Sequence, residues 1–526
     1  MSTTKCDVVV VGAGISGMAA AYRLKKKDQS LHVVVLEAKD RVGGRTQTVP
    51  MKAASGTDHW DLGGQWVGRC QPHIMALLEE LQLKIYPQFL QGIKFMQLAD
   101  HTISSYKSDI PSLSVLALID LQRFINKIDE LRREVNVEDP WLCRHAAEWD
   151  AITMDTFIQQ TMWTKGAKEA VESAGRCMMG IETTQVSLLF YLMYVSAADG
   201  IKNLVEATEF TAQEFKIQGG SQQVSQRMVS TVGAMNVNLD EPVSSIIQNE
   251  TGVTVKTVPG HKYECKRVIC AVPPPALGHI DFHPLLPPQK QELIKRMPLG
   301  NMIKVIITYR TAFWREQGQS GEAVSNGGPS LLPCCDSGPL CIVYDATSPK
   351  GNPALVGFLG GHQAVQWAAT SAVDRQHCVL HQLSTYFGQS ALEVLEYQEK
   401  DWNVEPYTRG GPVCCLGTGA MQYFAAGLRE PVNRVHFAGT ETATQWCGYM
   451  SGAVQAGYRT AIEVLSQIHP DLVSQDDHDL YASRIITPKI KANVPWIKLT
   501  LCLGVCVAMG FAVSKRGAIL SLISPK

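Results

Sequence analysis

The chain has 526 residues, of which 45% are hydrophobic and 18% charged, with 43 glycines and 10 tryptophans. That is the composition of a folded protein with a large core, and a length that predicts about three to four domains; it excludes a disordered chain. Lysine plus arginine (48) balances aspartate plus glutamate (49), a net charge of −1, without the basic excess expected of a nucleic-acid binder.

Val8-Val9-Val10-Val11 is stopped by Gly12, too short a run for a signal peptide and the right length for a buried parallel strand. Gly12-Ala13-Gly14-Ile15-Ser16-Gly17 then leads into Met18-Ala19-Ala20-Ala21, which reads as tight turn and helix. Gly12, Gly14 and Gly17 let the backbone approach a pyrophosphate, and the helix N-terminus offers free N–H groups to it. A second strand, Val33-Val34-Val35-Leu36, ends in Glu37, twenty residues past Gly17, where a carboxylate accepts ribose hydroxyls. Strand, turn, helix, strand and acid in this order predict dinucleotide binding. Arg41-Val42-Gly43-Gly44-Arg45-Thr46 and Asp61-Leu62-Gly63-Gly64-Gln65-Trp66 add two further glycine turns. A cofactor held along its whole length needs such repeated backbone approach, which points to FAD rather than a nicotinamide dinucleotide.

Helical patterning follows over Leu113 to Val135 and Thr153 to Met179, and Gly318 to Gly338 reads as a long loop. Lys304 stands in an apolar strand, Met302 to Ile307, where a lysine is costly unless hydrogen-bonded. The 15 cysteines are irregularly spaced and form no C-x-x-C pair, which fits reduced thiols better than a disulfide framework or a zinc ribbon. His377 and His381 lack an adjoining glutamate, and no metal site is expected. Near the end, Leu499 to Val513 is an uncharged apolar run, and seven basic residues but no acidic ones follow Leu480. As a helix the run spans roughly 22 Å, which predicts a C-terminal membrane anchor, about 496–513, suited to a thin bilayer such as the mitochondrial outer membrane. The rest of the chain would then face the cytosol.

These segments, together with Gln218-Gly219-Gly220-Ser221, Glu241-Pro242-Val243, Pro298 to Lys304, Phe437 to Thr444 and Gly448 to Ala453, resemble the flavin-dependent amine oxidases, and closely the monoamine oxidases. The resemblance runs from about residue 5 to 516. It implies an α/β fold: a doubly wound, Rossmann-like FAD domain (1–85, 218–290, 400–465) interleaved with an α+β substrate domain (86–217, 291–399), then a tail (466–526) carrying the anchor helix. It implies oxidation of an amine at its α-carbon with transfer to flavin N5, O2 as co-substrate, and a family tendency to form homodimers. FAD contacts are expected from the glycines already named and from Glu37, Arg41, Arg45, Gln65, Val243, Trp402, Gly439, Thr440, Glu441 and Met450. Lys304 is expected to hold a water near the flavin, and Tyr449 to form one side of an aromatic cage.

Two positions depart from the animal enzymes. Pro412 takes the place of the second cage tyrosine, and Gly411 that of the cysteine joined to the flavin. Cys414 and Cys415 stand three and four residues further on, roughly 3.3 Å per residue of strand, so noncovalent FAD is expected. In the substrate cavity, Gln213 matches a family glutamine and Ile342 a width-setting position. Glu206 falls at an apolar gate, where an inward carboxylate would favour a second cationic group on the substrate and an outward one would only be solvated. Two other readings stay open. One is a polyamine or L-amino-acid oxidase, the latter needing an arginine such as Arg176 or Arg409; the other is a flavoprotein scaffold that has lost catalysis.

Overall fold

Four consecutive valines, all buried, form strand β1 (Val8–Val11), because β-branched side chains fit a pleated surface covered on both faces. Gly12 leaves the strand at φ +99°, a conformation that favours glycine. Helix α1 (Ile15–Lys27) follows, its last turn holding Lys25, Lys26 and Lys27, where positive charge complements the helix dipole. Strand β2 (Val33–Leu36) pairs parallel with β1 from Val8↔Val33 to Val11↔Leu36. On the other side of β1 lies β3 (Arg267–Cys270), itself parallel to Val435–Phe437, while Val237–Asn238 extends the β2 edge. Strands far apart in sequence thus build one five-stranded parallel sheet.

The computed structural model describes residues 3–98, 102–107, 110–326 and 338–477. The last long helix, Met450–Ile468, lies along α1. A Cβ on its Gly457 would come within 2.3 Å of the Ser16 carbonyl oxygen, so the two helices touch through backbone.

A second, seven-stranded sheet forms the wall of the chemistry end. It contains β4 (Met302–Thr308), β5 (Gln319–Ser325), β6 (Ile342–Asp345), β7 (Ala354–Gly360) and β8 (Glu396–Asp401). The order is β8-β4-β7-β6-β5, continued by Ile93–Gln97 and Ile103–Tyr106. Helices of the 115–197 region pack into a large core of their own around Phe190, Tyr191 and Tyr194.

Three details differ from the sequence reading. The predicted loop from Gly318 begins with β5, whose side chains are mostly buried; residues 327–337 of that loop lie outside the described ones. Its polar, glycine-containing sequence shows no alternation, and pairing with β6 and Ile93–Gln97 makes it a strand. The helical stretch from Thr153 is broken into Met154–Thr161 and Lys165–Met179, because buried Asp120 accepts the Trp163 and Thr164 N–H groups at 2.7 Å each. The body also runs past residue 465: Asp477 pairs with Arg23 (2.7 Å) and Lys27 (2.6 Å) on α1. The apolar run 499–513 lies outside the described residues; among the described ones no helix is long and apolar enough to cross a membrane.

Candidate active site

A cavity of about 950 Å³ runs from the end of β2 to the seven-stranded sheet. At its first end Gly12 and Gly14 face Gly43 and Gly44, with Gly14 and Gly43 in bridge contact. A Cβ on Gly44 would lie 3.1 Å from the Gly14 Cα, so two backbones meet there without side chains. Gly17 does not line the cavity. Its Cβ would fall 2.0 Å from the Gly12 carbonyl oxygen, so it serves close packing of helix on strand. Glu37 accepts the N–H groups of Ala13 (2.6 Å) and Lys39 (3.1 Å). Burial raises its pKa, and those two bonds oppose the rise.

Two charged residues expected at the cofactor hold the wall instead. Arg41 donates to Glu405 (3.0 Å) and to the carbonyls of Thr46 and Gly44, and is not part of the cavity lining. Glu441 is fully buried beside the lining and receives Arg45 at 2.5 and 3.0 Å. Burial pushes its carboxyl upward, but the Arg45 charge and hydrogen bonds outweigh that and hold it below the ordinary range. Arg45 also donates to the Pro412 carbonyl (2.9 Å), tying the 411–412 segment to the nucleotide half. Gly64, Gln65, Val243, Gly439, Thr440, Met450 and Trp402 all line the cavity between its two ends. The Trp402 indole is fixed by donation to the Leu62 carbonyl at 2.9 Å.

At the chemistry end, Lys304 projects from β4 and is almost wholly buried. Its ammonium donates to the Gly63 carbonyl (2.8 Å) and to Gln65 Oε1 (2.6 Å), with the Phe358 ring 5.3 Å away. Burial lowers its pKa to about 7, against the charge of Asp61, which acts to raise it. Asp61 is itself raised by burial. Gln65 Nε2 is buried with no partner. Tyr449, the N-cap of the Met450–Ile468 helix, faces the same space, its ring 6.4 Å from Tyr194 and edge-on to Trp446 at 5.2 Å. Its hydroxyl donates to the Leu204 carbonyl (3.4 Å), and burial raises its pKa.

Gly411 and Pro412 line this end too. A Cβ on Gly411 would meet nothing nearer than the Trp402 Cβ, at 4.0 Å. Cys414 and Cys415 are buried in the neighbouring helical core, and neither lines the cavity. Gln213 and Ile342 are in the wall; Gln213 donates to the Leu204 carbonyl at 2.9 Å and its Oε1 is buried without a partner. Glu206 is not: it ends the short helix Ile201–Val205 and accepts the Thr208 hydroxyl at 3.1 Å. Besides Glu37 and Glu241, a third carboxylate lines the cavity: Glu322 of β5, on the seven-stranded sheet, paired with Lys94 at 3.2 Å. Sequence reasoning missed it because its strand read as loop. It also missed Tyr194, hidden in the apolar run Leu188–Val195, which has no polar face to mark a cavity side.

Arg176 is engaged by Glu182 at 2.9 Å and lies outside the lining, and Arg409, which is in the lining, is exposed, so neither offers a buried guanidinium to a carboxylate. Among the described residues no His, Cys, Asp and Glu cluster could hold a metal, and no cysteine is in a disulfide.

The arrangement fits a flavin dinucleotide. A Cβ on Gly44 would close the glycine cradle, one on Gly64 would meet nothing within 4 Å, and Gln65, whose Oε1 accepts from Lys304, leaves its buried Nε2 without a partner. The sequence profile described as "Flavin containing amine oxidoreductase" matches residues 15–465. The chain belongs to that family. It is 36% identical to the probable flavin-containing monoamine oxidase A of Dictyostelium discoideum, over 89% of this chain and 99% of that protein. It is 35% identical to the flavin-containing amine oxidase B of Homo sapiens, over 98% of this chain and 99% of that one. Among solved structures, a putrescine oxidase bound to putrescine superposes with a TM-score of 0.81 at 31% identity, covering 88% of this chain and all of that one. The cyclohexylamine oxidase of Brevibacterium oxydans gives 0.81 at 32%, covering 88% and 99%. This family member is a flavin-dependent amine oxidase.

Proposed function

We propose that the chain deaminates primary amines with noncovalently held FAD: R–CH2–NH2 + O2 + H2O gives R–CHO + NH3 + H2O2. When bound, FAD supplies the two-electron acceptor that O2 later reoxidises. The observation that carries this reading is the convergence of Lys304, Gln65 and Tyr449 on a single cavity that begins at the glycine cradle. Val243, Gly439, Thr440, Met450 and Trp402 would hold the cofactor along its length. Lys304, its pKa lowered to about 7 by burial, would hold a water against the reacting centre by hydrogen bonding and remain fixed by Gln65. Tyr449 would present a ring face to the amine nitrogen and orient it. With Pro412 opposite, only one aromatic side of the cage remains, and the amine is aligned by Tyr449 together with the apolar walls.

Noncovalent binding is supported by Gly411 and by the placement of Cys414 and Cys415 in the core rather than the cavity wall. We also assign residues of about 496–513 to membrane attachment, on their sequence alone, with the mitochondrial outer membrane as the destination the resemblance implies; a homodimer likewise rests on the resemblance. Purified protein carrying FAD should release H2O2 with at least one of tyramine, serotonin, benzylamine and spermine, and not with leucine. Peroxide from none of them, with flavin bound, would make the chain a scaffold.

A further inference from the structure

The seven-stranded sheet presents one continuous file of side chains to the cavity. Lys304 on β4 stands opposite Phe358 on β7, Phe358 opposite Ile342 on β6, and Ile342 opposite Val324 on β5. Residues two apart on a strand share a face, so Tyr344 and Glu322 form the next file on the same side, and both line the cavity. Val324, Ile342, Phe358 and Met178 make much of the surrounding wall apolar. Glu322 is therefore a carboxylate set into a hydrophobic surface, only 12% exposed at its side chain.

A buried carboxylate is costly unless compensated. Lys94, level with Glu322 on the adjacent strand and not itself in the cavity wall, supplies that compensation from the side at 3.2 Å. An apolar pair at these two positions would complete the wall at lower cost. The placement instead aims negative charge into a cavity whose substrates are cations. β5 is three strand spacings from β4, roughly 14 Å at ~4.8 Å per strand. At the ~1.2 Å per bond of a fully extended chain, that is on the order of eleven or twelve bonds.

We propose that Glu322 is a specificity-determining residue that receives a second ammonium group, remote from the oxidised one, so that the preferred substrates are long α,ω-diamines or polyamines. The proposal rests on the amine-oxidase reading above and deepens it. Glu206, the carboxylate that the sequence placed at the gate, lies outside the wall and takes no part. Short diamines cannot span the distance and gain nothing from Glu322.

The test compares 1,10-diaminodecane, whose nitrogens are eleven bonds apart, with decylamine of matched length and with 1,4-diaminobutane. With the wild-type holoenzyme, the long diamine should exceed decylamine in kcat/KM by at least about tenfold, through KM rather than kcat. Glu322→Gln should bring the ratio of the two kcat/KM values, long diamine over decylamine, down to about one. Anaerobic titration calorimetry of the flavin-loaded enzyme, its flavin first reduced with dithionite so that the amine finds no electron acceptor, reads the same preference without turnover. If no amine yields peroxide but the long diamine still binds more tightly in a Glu322-dependent way, the oxidase reading fails and this assignment stands. Equal wild-type values for the long diamine and decylamine, in binding and in turnover, would overturn it, and that comparison needs no variant to fold.

Discussion

Lys304 concentrates the chemistry of the site in one side chain, because burial brings an ammonium to a pKa of about 7 next to Gln65. Lys304→Met should slow the reoxidation of reduced flavin by O2 about tenfold or more, and reduction by amine much less, as separated by stopped-flow absorbance. The stability effect has a defined sign. Between pH 7 and the ordinary lysine value the unfolded chain binds more protons than the folded one, so stability rises with pH there. Below about 7 both states are protonated and the full cost of burying the charge is present. The stability of wild type relative to Lys304→Met should therefore increase from pH 7 to 10 in urea titrations. Gly411 is the other decisive position. Acid precipitation of wild type should leave the yellow colour in the supernatant, whereas Gly411→Cys, for which the Trp402 Cβ at 4.0 Å leaves room, should retain part of it on the protein. Lys304 stood out in the sequence as a costly lysine inside Met302 to Ile307, and the family resemblance gave it a role. Glu322 was not, since a glutamate in a polar, glycine-containing stretch contradicts nothing.

The glycines separate two kinds of element contact. At Gly457 the long C-terminal helix touches α1, and a methyl group would press to 2.3 Å of the Ser16 carbonyl oxygen. Gly457→Ala should destabilise the fold by about 1–3 kcal/mol, seen as a lowered thermal midpoint even without flavin. At Gly14 an added Cβ meets only the Gly44 Cα, at 3.8 Å, so the protein itself tolerates it. Gly14→Ala should leave the unfolding of the apoprotein nearly unchanged and weaken FAD binding by about tenfold or more, because it enters the path of the pyrophosphate. Flavin fluorescence titration checks the second effect. The signature from Val8 to Glu37 was readable because strand, turn and helix there are local and each residue type has one use. Strand β5 was unreadable because only its neighbours make it a strand, and the break at 162–164 because it depends on Asp120, more than forty positions away.

At the scale of the whole molecule, residues 3–477 carry every described part of the active-site lining. Ending the chain at residue 485 should preserve amine-dependent peroxide release within about twofold, while the full-length protein sediments with phospholipid vesicles and the shortened one stays in the supernatant. Glycine spacing and the placement of Glu37 marked the dinucleotide site by themselves, because those requirements are local to short segments, and the family resemblance carried the class of reaction. The parallel sheet, built from strands as distant as Val8–Val11 and Val435–Phe437, then brings the segments together. Only tertiary structure decided which charged residues face the cavity. Arg41 and Glu441 are spent on its walls, Glu206 is outside, and Glu322 is within. The physical reason is that a side chain's direction follows from strand register and packing, which a list of residue types does not contain.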